Sequence, residues 1–128
     1  LAALSEKVAA TAVISWFGTW NGLMQPGNNV LRGQSAFYML HPGVSARLDI
    51  PDIASIAAPK PMLIYSGGQD KLFPAQAVEE AFNKVHKVWR AQNAEDKLVT
   101  RSWPELGHVF YQQQQDEVFP WLDKWLKP

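Results

Sequence analysis

The chain has 128 residues, 12 Lys and Arg against 12 Asp and Glu, no Cys and 47% hydrophobic residues. A net charge of zero without a basic cluster gives nucleic acid or an anionic membrane nothing to bind, and no partner of either kind is expected. The lack of Cys excludes disulfides, Cys-ligated zinc and thiol nucleophiles. Residues 1–128 amount to one domain, long enough to bury roughly two thirds of its unfolded surface. Apolar runs stop well short of the about 18 residues that a membrane span needs. Leu1-Ala2-Ala3-Leu4-Ser5-Glu6-Lys7 has neither a basic n-region nor an apolar h-region, so it is not read as a signal peptide. It lacks an initiator Met and opens like the last turns of a helix, as would a piece of a longer chain.

Val8 to Phe17 (VAATAVISWF) is a short, β-branched apolar run ending at Gly18, which suits a strand covered on both faces of a parallel sheet. Residues 19 to 59 then lose periodicity and are rich in Gly, Asn, Pro and Ser. One helical patch, Ser35 to Leu40, and a short helical turn, Asp52 to Ala57, interrupt this lid-like excursion between strands. Pro61 to Ser66 is a second buried strand, closed by Gly67-Gly68. Pro74 opens a helix carrying Val78, Ala81, Phe82, Val85 and Trp89 on one face and ending near Asn93. Lys97 to Trp103 alternates apolar and polar as a third, more exposed strand. The last helix places Val118, Leu122 and Trp125 together, and Pro120 predicts either a start near Phe119 or a kink there. The Gln112–Gln115 run reads as a solvated face. Strands alternating with helices imply an α/β fold with a mostly parallel sheet of three strands, flanked by helices.

Catalytic groups of such a sheet gather beyond the carboxyl ends of its strands. Asp70 follows the second strand in Ser66-Gly67-Gly68-Gln69-Asp70, and His108 follows the third in Leu106-Gly107-His108. A carboxylate that accepts from one imidazole nitrogen fixes the tautomer and leaves the other nitrogen to take a proton from a nucleophile. Singly, Asp70 reads as a cap at the helix start and His108 as a satisfied loop histidine; at corresponding strand ends, the two together point to chemistry.

The serines are Ser5, Ser15, Ser35, Ser45, Ser55, Ser66 and Ser102, and none sits in G-x-S-x-G, the turn that presents a nucleophile. Gly33-Gln34-Ser35-Ala36-Phe37 meets half the pattern but follows no strand, so Ser35 reads as a loop or helix-start residue, and Ser15 and Ser66 as strand or strand-end residues. His41 and His86 lack a second ligand at metal spacing and read as structural or solvated, so no metal site is expected. Nor is a cofactor, since the chain has no phosphate-cradling glycine motif.

Ile56-Ala57-Ala58-Pro59-Lys60-Pro61-Met62-Leu63-Ile64, running into Gly67-Gly68-Gln69-Asp70-Lys71-Leu72-Phe73-Pro74 and later Gly107-His108, resembles the C-terminal part of an α/β-hydrolase. The closest branch holds dienelactone hydrolases and acetyl-xylan-esterase-like enzymes. The resemblance covers nearly the whole chain and is weakest over residues 19 to 48. It implies that Asp70 is the acid and His108 the base of a Ser-His-Asp triad. Val8 to Phe17 would follow the nucleophile's helix, whose end would be Leu1 to Leu4, and the nucleophile would lie roughly a dozen residues before Leu1. The oxyanion-hole amides would lie outside the chain too.

The implied activity is that of a serine hydrolase acting on a small-molecule carboxylic ester, acetylated carbohydrate included. It would need the missing N-terminal half of the fold, from the same or a second polypeptide, and this chain alone would be inactive. The first strand would present an open edge where that half pairs. Trp20 would wall an acyl or sugar pocket, with Phe73 and Val109 flanking the triad loops, whereas Trp16 and Phe17 read first as core. The alternatives are a non-catalytic carbohydrate- or partner-binding module and a peptidase on the same fold. A flavodoxin-like domain is disfavoured because no phosphate-binding loop is visible.

Overall fold

The most apolar run of the chain becomes the middle strand of its sheet. The computed structural model describes residues 1–28, 36–39 and 41–127. Strands β1 (Thr11–Ile14), β2 (Met62–Gly67) and β3 (Leu98–Trp103) pair in parallel in the order β1-β2-β3. All six residues of β2 are buried, as a strand flanked by strands on both edges and helices on both faces requires. Successive side chains point to opposite faces. Met62 and Ile64 enter the larger core with Val78, Ala81, Val85 and Trp89 of α4 (Ala75–Ala91). Leu63 and Tyr65 enter a smaller one with Val118 of α5 (Gln112–Leu126). Trp89 is fully buried and its indole N–H donates to the Lys60 carbonyl at 3.1 Å. A large apolar side chain so placed contributes about 1.5–3 kcal/mol.

β1 is shorter than the expected Val8–Phe17 strand, and each of its residues is only half-buried. Cover on both faces is partial: Val13 packs on the larger core and Ala12 and Ile14 on the smaller one, while β2 is the only paired neighbour of β1 among the described residues. Leu1 to Ser5 form a single turn, closed by bonds from the Leu4 and Ser5 N–H groups to the Leu1 carbonyl, both 3.0 Å. Lys60 Nζ fastens this turn by donating to the Ala2 and Ser5 carbonyls.

Two described parts of the excursion are pinned to α4. Thr19 caps α1 (Trp20–Leu23) by accepting from Gly22, and its hydroxyl donates to Glu80 at 3.2 Å. A Cβ on Gly22 would stand 2.3 Å from that of Ala77, so glycine is what lets α1 lie directly on α4. Helix α2 (Ala36–Met39) falls within the expected Ser35–Leu40 patch, of which Ser35 and Leu40 lie outside the described residues, as do Gly33 and Gln34. Helix α3 (Ile50–Ser55) begins before the expected Asp52, because Asp49 and Asp52 form a reciprocal capping box with Pro51 in the first turn. Lys84 of α4 pairs with both carboxylates at 3.6 and 3.3 Å.

The last helix corrects two expectations. It does not begin near Phe119 but runs as one helix from Gln112 to Leu126 with Pro120 inside it. Pro120 and Asp116 are both exposed, so the carbonyl that loses its helical donor can be hydrated, which lowers the cost of an interior proline. Gln112–Gln115 is not uniformly a solvated face, since Gln114 is fully buried and its Oε1 accepts from the Tyr111 N–H at 2.9 Å. Gln114 lies one turn before Val118, on the face that packs against the sheet.

Candidate active site

The register pairs Gly67 with Trp103, so β2 and β3 end side by side and their following loops meet. Two backbone bonds fasten the loops together, Gly68 N–H to the Trp103 carbonyl at 2.7 Å and Gln69 N–H to the Leu106 carbonyl at 2.9 Å. A Cβ on Gly67 would lie 2.1 Å from the Gly107 carbonyl oxygen, and one on Gly68 would lie 2.8 Å from Pro104 Cα. The Gly67-Gly68 pair is thus the seat on which the His108 loop rests, a role the sequence did not suggest.

Asp70 and His108 meet across this contact. Asp70 Oδ1 accepts from the Leu72 and Phe73 N–H groups at 2.8 and 3.2 Å, which fixes the carboxylate within its own turn. Oδ2 faces His108 Nδ1 at 2.9 Å. An acceptor-only carboxylate there assigns the proton to Nδ1 and leaves Nε2 as the basic nitrogen. No described residue hydrogen-bonds Nε2. The Asp70 side chain is fully buried while that of His108 is 45% exposed, so the acid is shielded and the base is reachable. Both plain readings of Asp70 and His108 therefore hold only in part, since Asp70 holds its loop with one oxygen and the imidazole with the other.

The remaining candidates divide. Phe73 is buried and its ring lies parallel to the His108 imidazole, centroids 6.0 Å apart, so it backs the histidine. Trp16 is 48% exposed and approaches Phe73 at 6.1 Å, which makes it a surface neighbour of the site rather than the core residue expected, whereas Phe17 is core. Trp20 is half-buried and packs against the larger core in α1. Val109 is half-buried beside His108. A groove of about 660 Å³ between α1 and the start of α4 has Asp70, Lys71, Gln76 and Glu80 on its walls, and neither His108 nor Trp20 lines it. His86, away from the site, bonds the Thr100 hydroxyl at 2.7 Å, and His41 is exposed. Among the described residues no three His, Asp or Glu side chains converge to hold a metal ion, and no helix is long and apolar enough to cross a membrane.

A second polar cluster lies on the α5 face of the sheet. The Tyr65 hydroxyl donates to Glu117 at 2.6 Å, and Arg101 contacts both oxygens of Glu117 at 2.7 and 2.9 Å while lying 3.8 Å over the Trp103 ring. Burial, and then the bond to Glu117, push the Tyr65 phenol up to about 12. The Tyr65 bond, followed by Arg101, holds the Glu117 carboxyl below the ordinary carboxylate range.

No protein-family model matches the chain. Over 91 residues, 70% of this chain, it is 32% identical to the Bacillus subtilis (strain 168) protein named "Putative hydrolase YtaP", of which it covers 30%. Among solved structures it superposes on a carbohydrate esterase family 15 glucuronoyl esterase from Caldicellulosiruptor kristjansonii with a TM-score of 0.72 at 14% identity. That match covers 98% of this chain and 39% of the other. A Klebsiella pneumoniae subsp. pneumoniae protein named "Putative Dienelactone Hydrolase" matches with a TM-score of 0.53 at 15% identity, over 97% of this chain and 44% of that one. The chain thus spans less than half the length of each of these proteins. With three parallel strands flanked by helices, the chain has the α/β-hydrolase fold of these neighbours.

Proposed function

We propose that the chain is the acid-base part of a serine hydrolase acting on a carboxylic ester. The observation that carries this reading is the Asp70–His108 pair, with Oδ2 at 2.9 Å from Nδ1 on a half-exposed imidazole whose Nε2 is hydrogen-bonded by no described residue. In the reaction Nε2 takes the proton of a serine hydroxyl as that oxygen attacks the ester carbonyl, and later returns it to the departing alcohol. Asp70 holds the ring in the Nδ1–H tautomer and stabilises the imidazolium that forms. The nucleophile, and the amides that receive the oxyanion, come from a segment preceding Leu1 or from a second polypeptide, in keeping with the share of each relative that the chain covers. The glucuronoyl esterase and hydrolase names among the similar proteins support an ester substrate, and a carbohydrate ester is the form we favour. Trp16, exposed beside Phe73, then offers its ring to the substrate.

Fluorophosphonate labelling of the native preparation, with the adduct located by mass spectrometry, tests the reading. The expected adduct is on a serine outside these 128 residues and is lost when His108 is replaced by Ala. An adduct on Ser15, Ser66 or another serine of this chain, or labelling that survives His108→Ala, overturns it.

A further inference from the structure

Ser15, directly after β1, is unusual on three counts. Its φ of 51° lies in the left-handed region, which glycine occupies freely and other residues avoid. It is almost completely buried, at 4% exposure. Its side chain also reaches the loop of the candidate base, 94 positions on, where Oγ donates to the Val109 carbonyl at 3.2 Å. Its N–H still bonds the Tyr65 carbonyl at 2.8 Å, so the hydroxyl projects from a backbone anchored to the sheet.

That bond completes a bracket around His108. Val109 N–H donates to the Gly107 carbonyl at 3.1 Å, which makes His108 the middle residue of a tight three-residue turn. On the β2 side the turn is held through Leu106, whose carbonyl accepts from Gln69 in the Asp70 loop. On the β1 side the Val109 carbonyl is held by Ser15. A loop fixed on one side alone could pivot about the β2 contact and swing the imidazole off Asp70. Glycine would suit the backbone at position 15 better and would supply no hydroxyl. Keeping serine there favours the bond over the relaxed backbone.

We propose that Ser15 is a positioning residue for His108, clamping the histidine turn from the end of β1 so that the imidazole stays in register with Asp70. The proposal rests on the catalytic reading of the Asp70–His108 pair. The test is NMR on the ¹⁵N-histidine-labelled protein, following the His108 Nδ1 proton, assigned by its loss in His108→Ala. In Ser15→Gly its exchange with water is expected to accelerate tenfold or more, because the hydroxyl is gone although the backbone is unstrained, and the thermal midpoint stays within a degree or two of the parent. Ser15→Ala should show the same acceleration with a lower midpoint, since it keeps the strained φ without the bond. In the complete enzyme Ser15→Gly should lower kcat about tenfold and leave KM within twofold. Nδ1 exchange within twofold of the parent in Ser15→Gly overturns the role of Ser15 and leaves the pair standing. A parent protein whose His108 carries its proton on Nε2 instead overturns the pair, and the role of Ser15 with it.

Discussion

Two acid-base clusters join β2 and β3 to the segments around them, and their distances are nearly the same. Asp70 and His108 approach to 2.9 Å at the carboxyl edge of the sheet, and Tyr65, Glu117 and Arg101 meet at 2.6 to 2.9 Å on the α5 face. What differs is whether a basic nitrogen is left open. In the Tyr65 cluster the hydroxyl and both Glu117 oxygens are engaged and Arg101 enters only as a donor through Nη1, so the cluster acts as a strut between the sheet and α5. In the Asp70 pair the acid is fully committed and the base keeps one nitrogen open toward solvent. Separation alone therefore does not tell a strut from a reactive site; a satisfied anchor beside an unsatisfied base does.

The largest break in the comparison should come from the pair itself. His108→Ala and Asp70→Asn are each expected to lower kcat of the complete enzyme by roughly 10⁴-fold, Asp70→Asn by favouring the wrong tautomer. Loss of less than tenfold in steady-state hydrolysis would make the pair a strut as well. Next in size is Gly67→Ala, whose methyl group would meet the Gly107 and Leu106 carbonyls at 2.1 and 2.3 Å. It should displace the histidine loop, costing about 1–3 kcal/mol by urea unfolding together with most of the activity.

The strut should respond in the opposite sense. Tyr65→Phe is expected to cost about 1 kcal/mol of stability and leave turnover within twofold. Its pH signature follows from the phenol being raised to about 12 from an unfolded value near 10. The stabilisation is complete below pH 10 and is lost as the pH rises through the folded value, because the unfolded chain gives up the proton first. Wild-type stability should therefore fall between about pH 10 and 12 more steeply than that of Tyr65→Phe. On the acid side, Glu117 contributes above the ordinary carboxylate range and loses that contribution as the pH falls through its depressed value. Smallest of all is Glu95→Gln, which removes the charge from an exposed ion pair with Arg90 at 2.7 Å and should leave the thermal midpoint unchanged.

Much of this architecture was legible because it depends on short-range pattern. The buried run around Ile64, the apolar stripe from Val78 to Trp89 and the alternation before Trp103 gave β2, α4 and β3 within a residue or two. Asp70 and His108 were readable because strand ends can be counted along a chain. What escaped depends on partners distant in sequence. Gly22 reads as a loop glycine until Ala77 is beside it, and Gly67-Gly68 as a turn until the Leu106–Gly107 carbonyls pack on it. Gln114 was misread because an amide at the start of a helix looks solvated unless the sheet beneath it is known. The left-handed backbone of Ser15 left no trace in composition at all.

The order in which these parts come together follows from how the strands are spaced along the chain. Met62 pairs with Leu98, 36 positions on, and with Thr11, 51 positions back. Closing the longer loop costs only roughly 0.3 kcal/mol more, so length does not decide which forms first. The contents of the loops do: the shorter holds the 17-residue α4, and the longer holds described helices of only four to six residues. We therefore expect residues 62 to 126 to associate first, bringing Asp70 and His108 near each other before the first strand docks and Ser15 fixes the histidine turn. Hydrogen exchange should show β2, α4 and β3 protected together, with β1 acquiring its protection last.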